Sequence, residues 1–144
     1  MNTSELSRGR LIDHIQLVVK ALEPSKRFYL AILDVLGVPV AGEGPGSFWA
    51  DELCISSVDS PDAQGKPTGR SHVAFQGRSR EQVDAFCQAG LAAGGRDNGE
   101  PGERPYHAGY YAAFLLDPDG NNVEAVYHGP TERSAPVITV RYRG

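Results

Sequence analysis

The sequence predicts an α+β fold made of two βαβββ modules, and three observations lead to it. The chain repeats itself at an offset of 58 residues, each copy opens on a β-prone run followed by an amphipathic helix, and short strand-like runs broken by Gly and Pro complete each copy. The offset carries His14 to His72, Ile15 to Val73, Phe28 to Phe86, Ala31 to Ala89, Leu33 to Leu91 and Gly37 to Gly95. One domain of 1–144 is expected, with module one at about 11–59, a polar linker at 60–70, module two at about 71–128 and a tail from 129 to 144.

In module one the first strand is predicted over residues 11–19, where apolar residues alternate or are β-branched. The helix that follows has Pro24 in its first turn, Phe28, Ile32, Leu33 and Leu36 on one face, and Gly37 as its stop. Short strands are predicted at 38–41, 47–50 and 53–58. In module two a strand at 72–76 precedes a helix capped by Ser79, with Gln82 three residues on. Val83, Phe86 and Leu91 form its buried stripe, and Gly94 and Gly95 end it. A weak strand is expected near Arg96, and clear ones at 110–116 and 122–127, joined by the turn Asp117, Pro118, Asp119, Gly120, Asn121. The Gly- and Pro-rich stretch 98–109 reads as a loop on the rim of a cleft. In the tail, Val137, Ile138, Thr139 and Val140 form a β-prone run that adds an edge strand or pairs with another subunit.

Composition narrows the function. A chain of 144 residues that is 40% hydrophobic can build a real core. Its net charge of -4, with no run of like charges, argues against nucleic acid or an anionic membrane as partner and favours a small molecule. The two cysteines, Cys54 and Cys87, have no paired spacing and suit a reducing compartment. The polar first ten residues and the lack of a membrane-length apolar run point to a cytoplasmic protein.

Residues two apart on a strand share a face. His14 therefore lies with Gln16, opposite Ile15, Leu17 and Val19; His72 lies with Gln76, opposite Val73 and Phe75. Glu124 lies with Asn122 and His128, opposite Val123, Ala125 and Tyr127. A carboxylate in mid-strand among apolar neighbours needs a partner. Taken singly, each of the three reads as structural, a hydrogen-bonded strand histidine or a solvated glutamate. Two repeat-related histidines and one carboxylate together form a donor set that leaves open positions on a six-coordinate ion. Phe48 and Trp49 line an apolar cleft or fill core, and Cys87 reads as buried packing.

The βαβββ repeat, the histidine opening each module in Asp13-His14-Ile15 and Ser71-His72-Val73, and the Asp117-Pro118-Asp119-Gly120-Asn121 turn before Glu124 together resemble the vicinal oxygen chelate superfamily, over about residues 12–128. Its members include glyoxalase I, fosfomycin-modifying thiol transferases, extradiol dioxygenases and metal-free bleomycin-resistance proteins. The resemblance implies sheets curled into a cleft or half-barrel and a divalent ion, Fe2+, Mn2+, Zn2+ or Ni2+, on His14, His72 and Glu124. It further implies a small substrate chelated through vicinal oxygens, and a homodimer. Glyoxalase I adds a carboxylate from the last strand of its first module. Here that strand holds no acid, and Glu52, just before it, is the possible fourth ligand. A three-ligand site resembles a dioxygenase or thiol transferase; the alternatives are a glyoxalase I-like lyase and a metal-free drug-sequestering protein. His107, Tyr110 and Tyr111, with Tyr106 nearby, are the acid-base candidates.

Overall fold

The computed structural model describes residues 3–8, 11–63, 65–130 and 138–143. The β-prone runs and amphipathic stripes give, in chain order, β1 (Thr3–Arg8), β2 (Ile15–Val19), α1 (Leu22–Leu36), β3 (Gly42–Gly44), β4 (Ser47–Ala50) and β5 (Leu53–Ser57). A short 3-10 turn, Pro61–Ala63, follows, then β6 (His72–Gln76), α2 (Arg80–Ala92), β7 (Arg96–Glu103), β8 (Tyr111–Leu116), β9 (Asn122–Tyr127) and β10 (Ile138–Arg143). The chain is thus α+β, with the βαβββ order twice. Among the described residues, no helix is long and apolar enough to cross a membrane.

The two modules use one design. Each forms a four-stranded mixed sheet, ordered β2-β5-β4-β3 in the first and β6-β9-β8-β7 in the second. In each, the first strand pairs in parallel with the last: Gln16 stands opposite Cys54, and Ala74 opposite Glu124. A parallel pair needs a crossover connection, which α1 and α2 supply. Pleating then sends Leu17, Val19, Leu53 and Ile55 of module one, and Val123 and Ala125 of module two, into a single core shared with both helices.

Helix ends follow the local chemistry. Gly37 takes a left-handed φ of 76°, which an L side chain resists, and so closes α1. Ser79 caps α2 by accepting the Gln82 N–H at 3.0 Å. Along α2 the buried residues are Val83, Phe86, Cys87 and Gly90. The expected burial of Leu91 is corrected, since it is 44% exposed. The place one residue earlier belongs to Gly90, where a Cβ would collide with Leu115 and lie 3.1 Å from Ile32 and 3.2 Å from Phe28. The helices cross closely because this position has no side chain.

A buried polar cluster also ties the modules. Asp117, fully buried in the β8–β9 turn, accepts the N–H groups of Asp119 at 2.9 Å and Asn121 at 2.8 Å through Oδ1. Its Oδ2 accepts the Asn121 amide at 2.9 Å and the hydroxyl of Tyr29, from α1, at 2.5 Å. Burial, then the neighbouring Asp117 charge, pushes the Tyr29 phenol far above its ordinary value, so it stays a donor.

Several strand expectations shift. The first strand starts at Ile15, leaving 11–14 irregular and His14 just outside it. The strand expected at 38–41 appears at Gly42–Gly44, because Pro39 has no N–H for a ladder. The weak strand near Arg96 is an eight-residue edge strand with register shifts after Asp97 and Gly99, so the expected loop at 98–109 is strand as far as Glu103. Tyr110 precedes β8 rather than opening it. Instead of a bare polar start, β1 pairs antiparallel with β10 of the same chain, which gives the tail its partner; Val137 lies outside the described residues.

Two substitutions test this frame. Tyr29→Phe removes one donor from a buried carboxylate and should cost about 1–3 kcal/mol in urea unfolding; no change would mean that Asn121 alone satisfies Oδ2. Gly90→Ala should lower the thermal midpoint although helix propensity alone favours Ala by about 1 kcal/mol, because overpacking a tight core costs about 1–3 kcal/mol. A raised midpoint would show that the helix seam has slack.

Candidate functional site

The residues that alternation excludes from the core collect on the opposite face of each sheet. In module two, β6 is half-exposed on its Val73 and Phe75 side and places His72 on the outer face. Glu124 is on the adjacent strand and only 2% exposed. A buried carboxylate must be paired. His72 Nε2 donates to Glu124 Oε1 at 2.9 Å, and the Tyr110 hydroxyl donates to Glu124 Oε2. Burial, then this bond to Glu124, pushes the Tyr110 phenol up to about 12. Phe114, opposite Glu124 across the β8–β9 ladder, flanks the His72 ring at 6.1 Å between centroids. Arg104 lies over the same Phe114 ring, 5.3 Å from its centroid.

Next to Tyr110 lies a second polar group. His107 Nε2 and His128 Nδ1 are 2.9 Å apart, and the two rings meet edge to edge with their planes 19° apart and centroids 5.2 Å apart. Both rings meet Tyr110 edge-on at 5.4 Å. Tyr106 packs on Tyr110 at 4.9 Å and is 68% exposed. Tyr111, one residue on, turns to the other face. Its hydroxyl donates to Asp84 Oδ1 of α2 at 2.6 Å, and Arg80 lies over its ring at 4.7 Å. The structure therefore brings Tyr110 to Glu124 and separates Tyr111 from it, a correction that pleating alone accounts for.

Module one carries the matching face without the matching donors. His14 is exposed, with its Nδ1 2.7 Å from Asp13 Oδ1. Gln16 donates to Ser56 at 2.9 Å. The register makes Cys54 the counterpart of Glu124, since Gln16 pairs with Cys54 as Ala74 pairs with Glu124. Glu52 falls two residues before that position, and its carbonyl accepts the Ile15 N–H at 2.6 Å. Trp49 pairs with Cys54 and covers Gly42, while Phe48 is core. Among the described residues, no three His, Cys, Asp or Glu side chains lie close enough to hold one ion. One chain thus unites His72 with Glu124 and leaves His14 apart.

His72 and Glu124 fit a divalent ion. Two ligands in adjacent positions about 2.0–2.2 Å from one ion are themselves about 3 Å apart, close to the observed donor spacing. Imidazole nitrogen with carboxylate oxygen suits the borderline metals. His128 is the residue whose part here sequence reasoning missed. Its place four residues after Glu124 on the same strand face was the available signal.

The profile of the Glyoxalase/Bleomycin resistance protein/Dioxygenase superfamily matches residues 11–125. A glyoxalase/bleomycin resistance protein from Albidiferax ferrireducens T118 is 33% identical and aligns with a TM-score of 0.67 over 81% of this chain and 97% of its own. A glyoxalase-related enzyme from Fulvimarina pelagi, 21% identical, covers 90% of this chain and 97% of its own at a TM-score of 0.69. Lactoylglutathione lyase from Agrobacterium tumefaciens, 22% identical, covers 81% and 92% at 0.58. The last two share the fold. No curated protein matches the chain. The profile match and the 33% identical relative establish that the chain belongs to the glyoxalase/bleomycin resistance protein/dioxygenase superfamily.

Proposed function

We propose that the protein is a metal-dependent enzyme acting on a small substrate through two neighbouring oxygens, with His72 and Glu124 of one copy and His14 of a second copy as its metal ligands. The observation that carries this reading is the buried Glu124 carboxylate, held 2.9 Å from His72 Nε2 on an otherwise open sheet face. A carboxylate buried there needs paired donors or a metal, and His72, one of its two partners, is itself a metal-ligating group. A divalent ion, Fe2+, Mn2+, Zn2+ or Ni2+, would supply Lewis acidity to adjacent substrate oxygens. Tyr110 holds Glu124 by its second oxygen and stays protonated at neutral pH, which fixes the carboxylate while leaving Oε1 and His72 on the open side.

The position of His14 supports a homodimer, because His14 does not reach His72 within the chain, and a second copy can present its module-one face to the module-two face of the first. Cys54 at the Glu124-equivalent position supports a three-ligand site of the dioxygenase or thiol transferase kind over a glyoxalase I-like lyase, which uses a second carboxylate there.

Purified protein should bind metal stoichiometrically and run as a dimer in light scattering. Glu124→Gln and His72→Ala should each lose most bound metal after dialysis and the metal-induced rise in thermal midpoint, while Glu52→Gln keeps both. Unchanged metal content in Glu124→Gln would remove the metalloenzyme reading and leave a sequestering protein in its place. Equal loss in Glu52→Gln would restore the four-ligand lyase. Separately, a spectrophotometric titration of wild type against Tyr110→Phe should find the Tyr110 phenolate forming only near pH 12. Its folded value lies above the ordinary 10.0, so the stability tied to its proton is complete below about pH 10 and is lost between there and about 12. A phenolate appearing near pH 10 would mean that Tyr110 does not bond to Glu124.

A further inference from the structure

The His107–His128 pair has a direction that its hydrogen bonds fix. His107 Nδ1 is 2.9 Å from the carbonyl oxygen of Ala108, and a carbonyl only accepts, so this nitrogen carries a proton. In neutral His107 the other nitrogen, Nε2, is then a bare acceptor. It faces His128 Nδ1 at 2.9 Å, so in the neutral pair His128 Nδ1–H donates to His107 Nε2. That leaves the lone pair of His128 on Nε2. The relay runs Ala108 carbonyl, His107, His128, and in the neutral pair it ends on the unprotonated Nε2 of His128, an exposed residue just beyond the strand that carries Glu124.

The backbone holds this relay in place. Tyr111 pairs with Tyr127, so the residues just outside that pair, Tyr110 and His128, are neighbours at the same sheet end. The Tyr110 N–H donates to the His107 carbonyl at 3.2 Å, and the Arg104 N–H to the Tyr110 carbonyl at 2.9 Å, which closes the 104–110 loop on itself. Gly109 turns the loop at φ 88°, a left-handed conformation that an L side chain resists, and sets it against the backbone of His128 and Gly129. A histidine whose tautomer is set by a second, oriented group is the arrangement of a general base.

We propose that His128 is the proton-accepting base of the site, and that His107, read from the sequence as the catalytic histidine, is the positioning residue that fixes the tautomer of His128. The inference rests on the reading of Glu124 and His72 as a site for substrates with neighbouring oxygens. A substrate hydroxyl on that face gives its proton to the lone pair of His128 Nε2; the electron pair stays on the substrate oxygen, and nothing is oxidised or reduced. The resulting imidazolium keeps its Nδ1–H bond to His107.

Long-range 1H–15N spectra of histidine-labelled protein, at a pH where the imidazoles are neutral, test the relay without metal or turnover. Both His107 and His128 should be the Nδ1–H tautomer. His107→Ala should release His128 to a mainly Nε2–H form, and His107→Gln, which restores a carbonyl acceptor, should return most of the Nδ1–H form. That rescue would show that His107 sets the tautomer of His128 through this hydrogen bond, and the next step asks whether the freed nitrogen takes a proton. Then pyrocatechol, added to zinc-loaded protein, should protonate His128 Nε2, moving its 15N resonance to the imidazolium position. An Nε2–H tautomer for His128 in wild type overturns the inference whatever the metal does. Catechol bound to the zinc with His128 Nε2 still bare overturns it as well. Failure of zinc to bind overturns instead the reading of the site on which it rests.

Discussion

The parallel pairing of the first and last strands in each module is the constraint on which the rest of the molecule depends. It requires a helix to return the chain, and that helix needs an apolar sheet face to cover. Pleating then allots every second residue to the opposite face, so the same two strands that bury Val123 and Ala125 carry Glu124 outward beside His72. Core and candidate site are two sides of one hydrogen-bond ladder. A one-residue slip of β9 against β6 would place the carboxylate in the core and a valine at the site.

The modules are joined through their helix sides. Gly90 lets α2 approach Phe28 and Ile32 of α1, and Tyr29 reaches from α1 to the Asp117 turn of module two. Because the helices occupy the shared core, the site faces of the two sheets are not hydrogen-bonded to each other and belong to separate sheets. This is why His72 and Glu124 meet while His14 remains with Asp13. The proposed dimer follows from that separation. It gives the unpaired half-sites a partner of the right shape, since the repeat makes each module face a near copy of the other.

Much of this was legible in the sequence because the 58-residue offset recorded the repeat, and Gly37, Ser79 and the turn at Asp117–Asn121 marked its ends with residues whose conformational or bonding roles are local. The placement of Glu124 against His72 followed from period-two alternation and one repeat. What escaped depends on contacts between distant segments. Leu91 has the spacing of a buried residue, but Gly90 takes the contact because Leu115 fills the space. β7 was hidden by Gly99, Pro101 and Gly102, which an edge strand tolerates through bulges. Tyr110 and Tyr111 are indistinguishable until the register of β8 decides which faces Glu124. The bonding of His107 to His128 spans 21 residues and appears only when the loop closes on the strand.

The claim that the site is built from two copies is tested most directly by mixing two inactive chains. His14→Ala and Glu124→Gln proteins, each unable to hold metal by itself, are unfolded together, refolded and assayed for bound zinc per chain. If module one of one copy serves module two of the other, half of the dimers formed at random are mixed, and each mixed dimer has one of its two sites intact, so about a quarter of the wild-type metal should return. Should the mixture bind no more zinc than the separate variants, the three ligands belong to a single chain and the two-copy account is contradicted.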